Sequence, residues 1–134
     1  MNIPTAAHYT ADELQEALRP IASLIGKSEK AQRKLAPGTW QHTMLRDNLN
    51  ALHMASALMN RGTDDTARFA QVDLQKAHRA FVSMIGKTRK AQARFPPGTS
   101  QHTLQRNRLK ALRIADTLIK VLLPRDVRPS MEIA

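Results

Sequence analysis

Residues 25–59, IGKSEKAQRKLAPGTWQHTMLRDNLNALHMASALM, align without a gap on residues 85–119, IGKTRKAQARFPPGTSQHTLQRNRLKALRIADTLI, with 18 identities in 35 positions. The shift is 60 residues. Such a repeat is a comparison made inside one chain: it separates what both copies kept from what one was free to change. At the centre of each copy stands Pro-Gly-Thr, at 37–39 and 97–99. Proline cannot continue a helix, glycine tolerates positive φ, and threonine is a good N-cap, so each copy is expected to read helix, turn, helix.

The flanking patterns have helical period. Leu14, Leu18, Ile21, Ile25 and Leu35 are answered by Leu74, Phe81, Ile85 and Phe95, and Leu49, Leu52, Ala55, Leu58 and Met59 by Leu109, Leu112, Ala115, Leu118 and Ile119. Thr10-Ala11-Asp12-Glu13 has the form of a capping box. Pro20, whose counterpart is Ala80, predicts a kink or a frayed first segment in copy one only. The copies divide at residues 60–65, where Gly62 can end one helix and Thr63 or Asp64 can cap the next. Gly26 and Gly86, in mid-helix, are expected to let helix backbones approach closely.

Short connections make neighbouring helices antiparallel, and neither hairpin can bury its apolar face alone. The predicted fold is all-α: two tandem hairpins, residues 1–61 and 62–123, closing as a pseudo-twofold four-helix bundle in one compact domain, with a flexible tail over 124–134. A half of about 60 residues would be marginal by itself. Cysteine is absent, which excludes disulfides and Cys-based zinc sites. No run suits a signal peptide or a membrane span, so a cytoplasmic protein is expected.

Several chemical motifs fail on context. Gly26-Lys27-Ser28 and Gly86-Lys87-Thr88 spell the end of a phosphate-binding loop, but the glycine that loop needs upstream is replaced by Ile21 and Phe81 on an apolar stripe. His42 and His102, in the repeated Gln-His-Thr, follow the turn and are expected to serve the helix start, since no second ligand keeps a metal spacing with them. His8, His53 and His78 have no repeated partner. We expect no catalytic residues, no metal and no cofactor.

Arg46-Asp47 followed by His53 resembles the Arg-to-His signature of HEPN ribonucleases, which are helical bundles that often dimerise around those residues; the family's commoner spacing is one residue shorter, and copy two has Arg106, Asn107 and Arg113 instead. More of the chain, Tyr9-Thr10, Glu13-Leu14, Lys30-Ala31-Gln32, Pro37-Gly38-Thr39, Gln41-His42-Thr43 and Arg46-Asp47-Asn48-Leu49, resembles small helical proteins, in one or two copies of this repeat, associated with mobile elements of gut bacteria. That resemblance brings no known activity; it implies DNA handling or inhibition of a host nucleic-acid machine.

Charge is the most informative functional feature. The chain has 21 Lys/Arg against 11 Asp/Glu, a net +10. Residues 1–60 hold six and five of these, net +1, and residues 61–134 fifteen and six, net +9. From copy one to copy two Glu29 becomes Arg89, Asn48 Arg108, Asn50 Lys110, His53 Arg113 and Asn60 Lys120. Arg106, Lys110, Arg113 and Lys120 fall on one helical stripe, and Lys87, Lys90 and Arg94 form another that repeats Lys27, Lys30 and Lys34. Arg108 falls on the apolar side, where it must snorkel or pair.

These nine cations, Lys87, Arg89, Lys90, Arg94, Arg106, Arg108, Lys110, Arg113 and Lys120, are the candidate nucleic-acid-binding residues. The expected function is that of a non-enzymatic basic binding protein, monomer or homodimer, whose second repeat meets nucleic acid or a nucleoprotein. Phe69, Phe81 and Phe95 are the only aromatics of the basic half, and the last two are expected in the core, which argues against single-strand recognition by stacking. The alternatives are a protein-interaction or inhibitor module occupying an acidic groove, and the HEPN-like ribonuclease.

Overall fold

The computed structural model describes residues 9–61 and 69–123. They form four helices, α1 (Ala11–Arg33), α2 (Trp40–Arg61), α3 (Gln71–Ala93) and α4 (Ser100–Leu122), in an all-α bundle. Shifted by 60 residues, the starts and ends of α1 and α2 fall on those of α3 and α4 to within one residue. Burial over Ile21–Thr43 matches that over Phe81–Thr103 at every position except Ala31 and Ala91. Within each hairpin the two helices pack together, and α1 rests on α4 as α3 rests on α2, the pairs that a twofold exchange of the hairpins would interchange.

Local chemistry sets the ends. Thr10 accepts the Glu13 N–H on its hydroxyl at 3.0 Å while the Glu13 carboxylate accepts the Thr10 N–H at 2.9 Å, so the capping box is complete. Thr39 and Thr99 each accept the backbone N–H of the histidine three residues on, His42 or His102, at 3.2 Å, and donate their hydroxyl proton to the carbonyl of Ala36 or Pro96 at 2.9 Å. The repeated histidines therefore serve the helix start through their backbone.

Gly38 and Gly98 both have φ of +94°, and a Cβ at either would meet nothing within 4 Å. A substitution there strains the backbone without any clash. Gly38→Val and Gly98→Val are each expected to cost more than about 1 kcal/mol, read as a lower denaturant midpoint at unchanged slope.

Three expectations are corrected. α1 runs unbroken through Pro20, so its first segment is not frayed; the carbonyl of Glu16, deprived of its partner four residues on, belongs to an exposed residue that water can reach. α3 starts at Gln71 with Ala70 as an N-cap that makes no side-chain hydrogen bond, whereas Gly62, Thr63 and Asp64, like the proposed tail, lie outside the described residues. A Cβ at Gly26 or Gly86 would meet nothing within 4 Å, so no helix approaches closely there. Gly26→Ala and Gly86→Ala should each raise stability by about 0.5–1 kcal/mol, measurable by chemical denaturation.

The core lies entirely in one half of the bundle. Among the described residues every buried side chain comes from 14–21, 49–59, 74–81 or 109–123, with Phe81, Ile21, Leu52, Leu58, Leu112, Leu118 and Ile119 at its centre. None comes from 25–48 or 85–108, the half that carries the two Pro-Gly-Thr turns. Phe95 belongs to that open half and is only half-buried, contrary to its expected place in the core; Phe69 packs against the core instead.

Candidate nucleic-acid interface

The apolar stripe of α4 packs inward through Leu112, Ala115, Leu118 and Ile119, which turns its opposite stripe outward. Arg106, Lys110 and Arg113 stand exposed on that outer face. They line a groove of about 380 Å³ together with Leu109, Ile114, Gln92 of α3 and Tyr9, and no carboxylate lines it. On the neighbouring helix α3, Lys87, Arg89, Lys90 and Arg94 are all exposed. Lys87 leans toward α2, its Nζ 3.5 Å from the sulfur of Met44. The described part of this hairpin, 71–123, has eleven Lys/Arg against two Asp/Glu.

Two of the nine candidate cations stand apart. Lys120 is half-buried with its Nζ 3.9 Å from Asp116 Oδ2, one helical turn back. Its charge is thereby partly engaged within the fold. Arg108 occupies the inward stripe of α4, where it neither escapes fully to solvent nor finds a partner. Its Nε is buried without a hydrogen bond, and desolvation by burial holds the guanidinium below the usual arginine range.

Tyr9 escaped the sequence reading because it belongs to the first repeat. The signal was local: as the residue before the Thr10 N-cap it holds the position at which an apolar side chain staples the chain entry onto the helix, and here Tyr9 packs against the core beside α4. An aromatic ring thus does stand beside the basic stripe.

The second missed feature is a polar pair in the core. His78 of α3 donates from Nδ1 to Oδ1 of Asp116 on α4 at 2.8 Å; a carboxylate can only accept, which assigns the proton to that nitrogen. Asp116 is the one buried polar or charged residue among those described. The first repeat has Leu18 and Ser56 at the matching places.

Two further grooves correspond to each other under the 60-residue shift. The one between α1 and α4, about 490 Å³, sets Glu13 and Glu16 opposite Lys110, a mixed-charge lining that does not suit a polyanion. Its counterpart between α2 and α3, about 350 Å³, gathers Arg46, Asp47, Asn50 and His53 with Asp73 and Lys76. Arg46 lies 3.7 Å from Asp47, and His53 is exposed. Among the described residues no three His, Asp or Glu are grouped to hold a metal ion, and no helix is long and apolar enough to cross a membrane.

Compared with models of protein families, with curated proteins and with solved structures, the chain matches none.

Proposed function

We propose that this is a non-enzymatic nucleic-acid-binding protein that grips the phosphate backbone through its second repeat. The observation that carries the reading is the outer groove of α4, in which Arg106, Lys110 and Arg113 converge with no carboxylate among them. Three cations so placed release condensed counterions when they neutralise phosphates, and that release drives binding without regard to sequence. A fold with one end closed and a basic outer surface needs no moving part for this. The resemblance to proteins of mobile elements is in keeping with it.

A gel-shift titration with a random duplex at about 150 mM salt tests the reading, since backbone-directed binding is detectable there at about 1–100 μM. Binding that weakens steeply as salt rises is the expected result. No shift of duplex DNA or duplex RNA across that range would refute it.

One observation favours a second reading, that of a ribonuclease. Arg46 and His53 line the same groove. Cleavage of single-stranded RNA by the purified protein, abolished by His53→Ala, would move that reading to first place.

A further inference from the structure

The antiparallel hairpins bring both Pro-Gly-Thr turns to the same end of the bundle, and the charge is divided between the ends as sharply as between the repeats. The turn-proximal halves, 25–48 and 85–108, hold eleven Lys/Arg against two Asp/Glu, net +9, the second of them without a single carboxylate. Residues 9–24, 49–60, 69–84 and 109–123, at the closed end, hold six against five, net +1. The first repeat, nearly neutral along the chain, thus contributes a basic tip of its own: Lys27, Lys30, Arg33, Lys34 and Arg46 against Glu29 and Asp47.

The identities between the copies point to the same end. Over 47–59 and 107–119 all five identities, from Leu49/Leu109 to Leu58/Leu118, are buried core residues, which the fold itself requires. Over 25–46 and 85–106 there are 13 identities in 22 positions. Four of those pairs, Lys27/Lys87, Lys30/Lys90, Gln41/Gln101 and Arg46/Arg106, are exposed polar side chains in both copies. The core gives no reason to keep them twice. The same holds for Gly26/Gly86, whose missing side chain meets nothing in the protein and leaves room beside Lys27 and Lys87.

Between the tips the inward stripes lose their fully buried residues: beyond Ile21 and Phe81 the half-buried Ile25, Leu35, Ile85 and Phe95 alternate with Ser28 and Thr88. On α4 the stripe continues as Arg108, whose buried Nε is a donor without an acceptor among the described residues. An unpaired guanidinium donor there suits an anionic oxygen better than an apolar helix.

We infer that the turn end is a two-pronged clamp for a nucleic-acid duplex, with one basic tip on the phosphates of each strand and Arg108 between them. This rests on the proposed function and extends it to the first repeat. The duplex groove that the two tips would span is about 6–12 Å wide, and each repeat is assigned one of the strands that border it.

The test uses the full chain and a 20-base-pair random duplex, with thermal melts to confirm folding of each variant. Lys27→Gln, Lys30→Gln and Lys34→Gln neutralise the first tip; Lys87→Gln, Lys90→Gln and Arg94→Gln neutralise the second. Each triple is expected to lower affinity about a hundredfold at 150 mM salt and to flatten the log K against log salt slope by up to about 2.7. The effects should be alike although the repeats differ in net charge. Arg108→Asn, the residue of the first repeat, should raise the melting temperature and still weaken binding, an opposition that a purely structural residue would not produce. A first-tip variant that binds as the wild type does, while second-repeat variants lose binding, would overturn the clamp and leave the proposed function standing. Loss in neither would overturn both. A single strand of equal length bound as tightly as the duplex would overturn the two-strand geometry.

Discussion

Replacing His78 with Leu, the residue at the matching place in the first repeat, should destabilise the bundle by about 2–3 kcal/mol and lower Tm by about 10 °C. Among the described residues His78 supplies the only short hydrogen bond to the Asp116 side chain, at 2.8 Å, and that side chain is 8% exposed. Lys120, at 3.9 Å from the other carboxylate oxygen, is too far for a direct hydrogen bond. His78→Leu therefore leaves an acceptor-only group inside the protein without its donor, which is the expensive half of breaking such a pair. Asp116→Ser alone should cost less, about 1 kcal/mol, because an imidazole can be neutral where it stands. The double variant rebuilds the Leu18 and Ser56 arrangement of the first repeat and should recover most of the loss, giving a coupling of more than about 1 kcal/mol in the double-mutant cycle. Strictly additive single effects would show that the pair contributes nothing as a pair.

What could be read from sequence was chemistry carried by neighbours along the chain. The Pro-Gly-Thr turns, their threonine caps, the Thr10 capping box and the apolar stripes from Leu14 to Met59 and from Leu74 to Ile119 each depend on residues within one or two turns of a helix. So does the outward placement of Arg106, Lys110 and Arg113, which follows from helical period once the core side of α4 is known. The features that were missed join distant residues. His78 and Asp116 are 38 positions apart, and nothing local marks either as the partner of the other. Tyr9 reaches a groove built from the other repeat. Gly26 and Gly86 were misread because periodicity does not say whether a neighbour stands on the side where the missing side chain would be. The charge was summed along the chain, repeat against repeat, whereas the antiparallel fold sorts it by height in the bundle; only with both turns at one end do the cations of 25–48 and 85–108 add.

Neutralising the outer face of α4 should weaken binding as strongly as neutralising either tip, and it leaves the core untouched. Arg106→Gln, Lys110→Asn and Arg113→His remove three charges from exposed positions, the latter two by installing the residues of the first repeat, Asn50 and His53. Lys120 is best left in place, because its ammonium faces Asp116 and its loss would disturb the buried pair. Each phosphate contact contributes about 0.9 to the slope of log K against log salt, so three lost contacts flatten it by up to about 2.7 and weaken binding about a hundredfold at 150 mM. Melting should be nearly unchanged, since substitutions at exposed sites away from caps and pairs usually stay within about 0.5 kcal/mol. Tyr9→Ala separates two modes within this groove: a loss of affinity confined to single strands would mean that the ring stacks on bases, while an equal loss for duplex and single strand would mean that Tyr9 only shapes the wall. The transplant Asn50→Lys with His53→Arg puts the α4 charges on α2, where the groove beside them already holds Asp47 and Asp73. It should restore little affinity to the neutralised protein, because those carboxylates oppose a polyanion. Full rescue by the transplant would show that net charge alone, and not the acid-free groove of α4, governs the interaction, and an unchanged slope in the neutralised protein would reduce the stripe to a solvated surface.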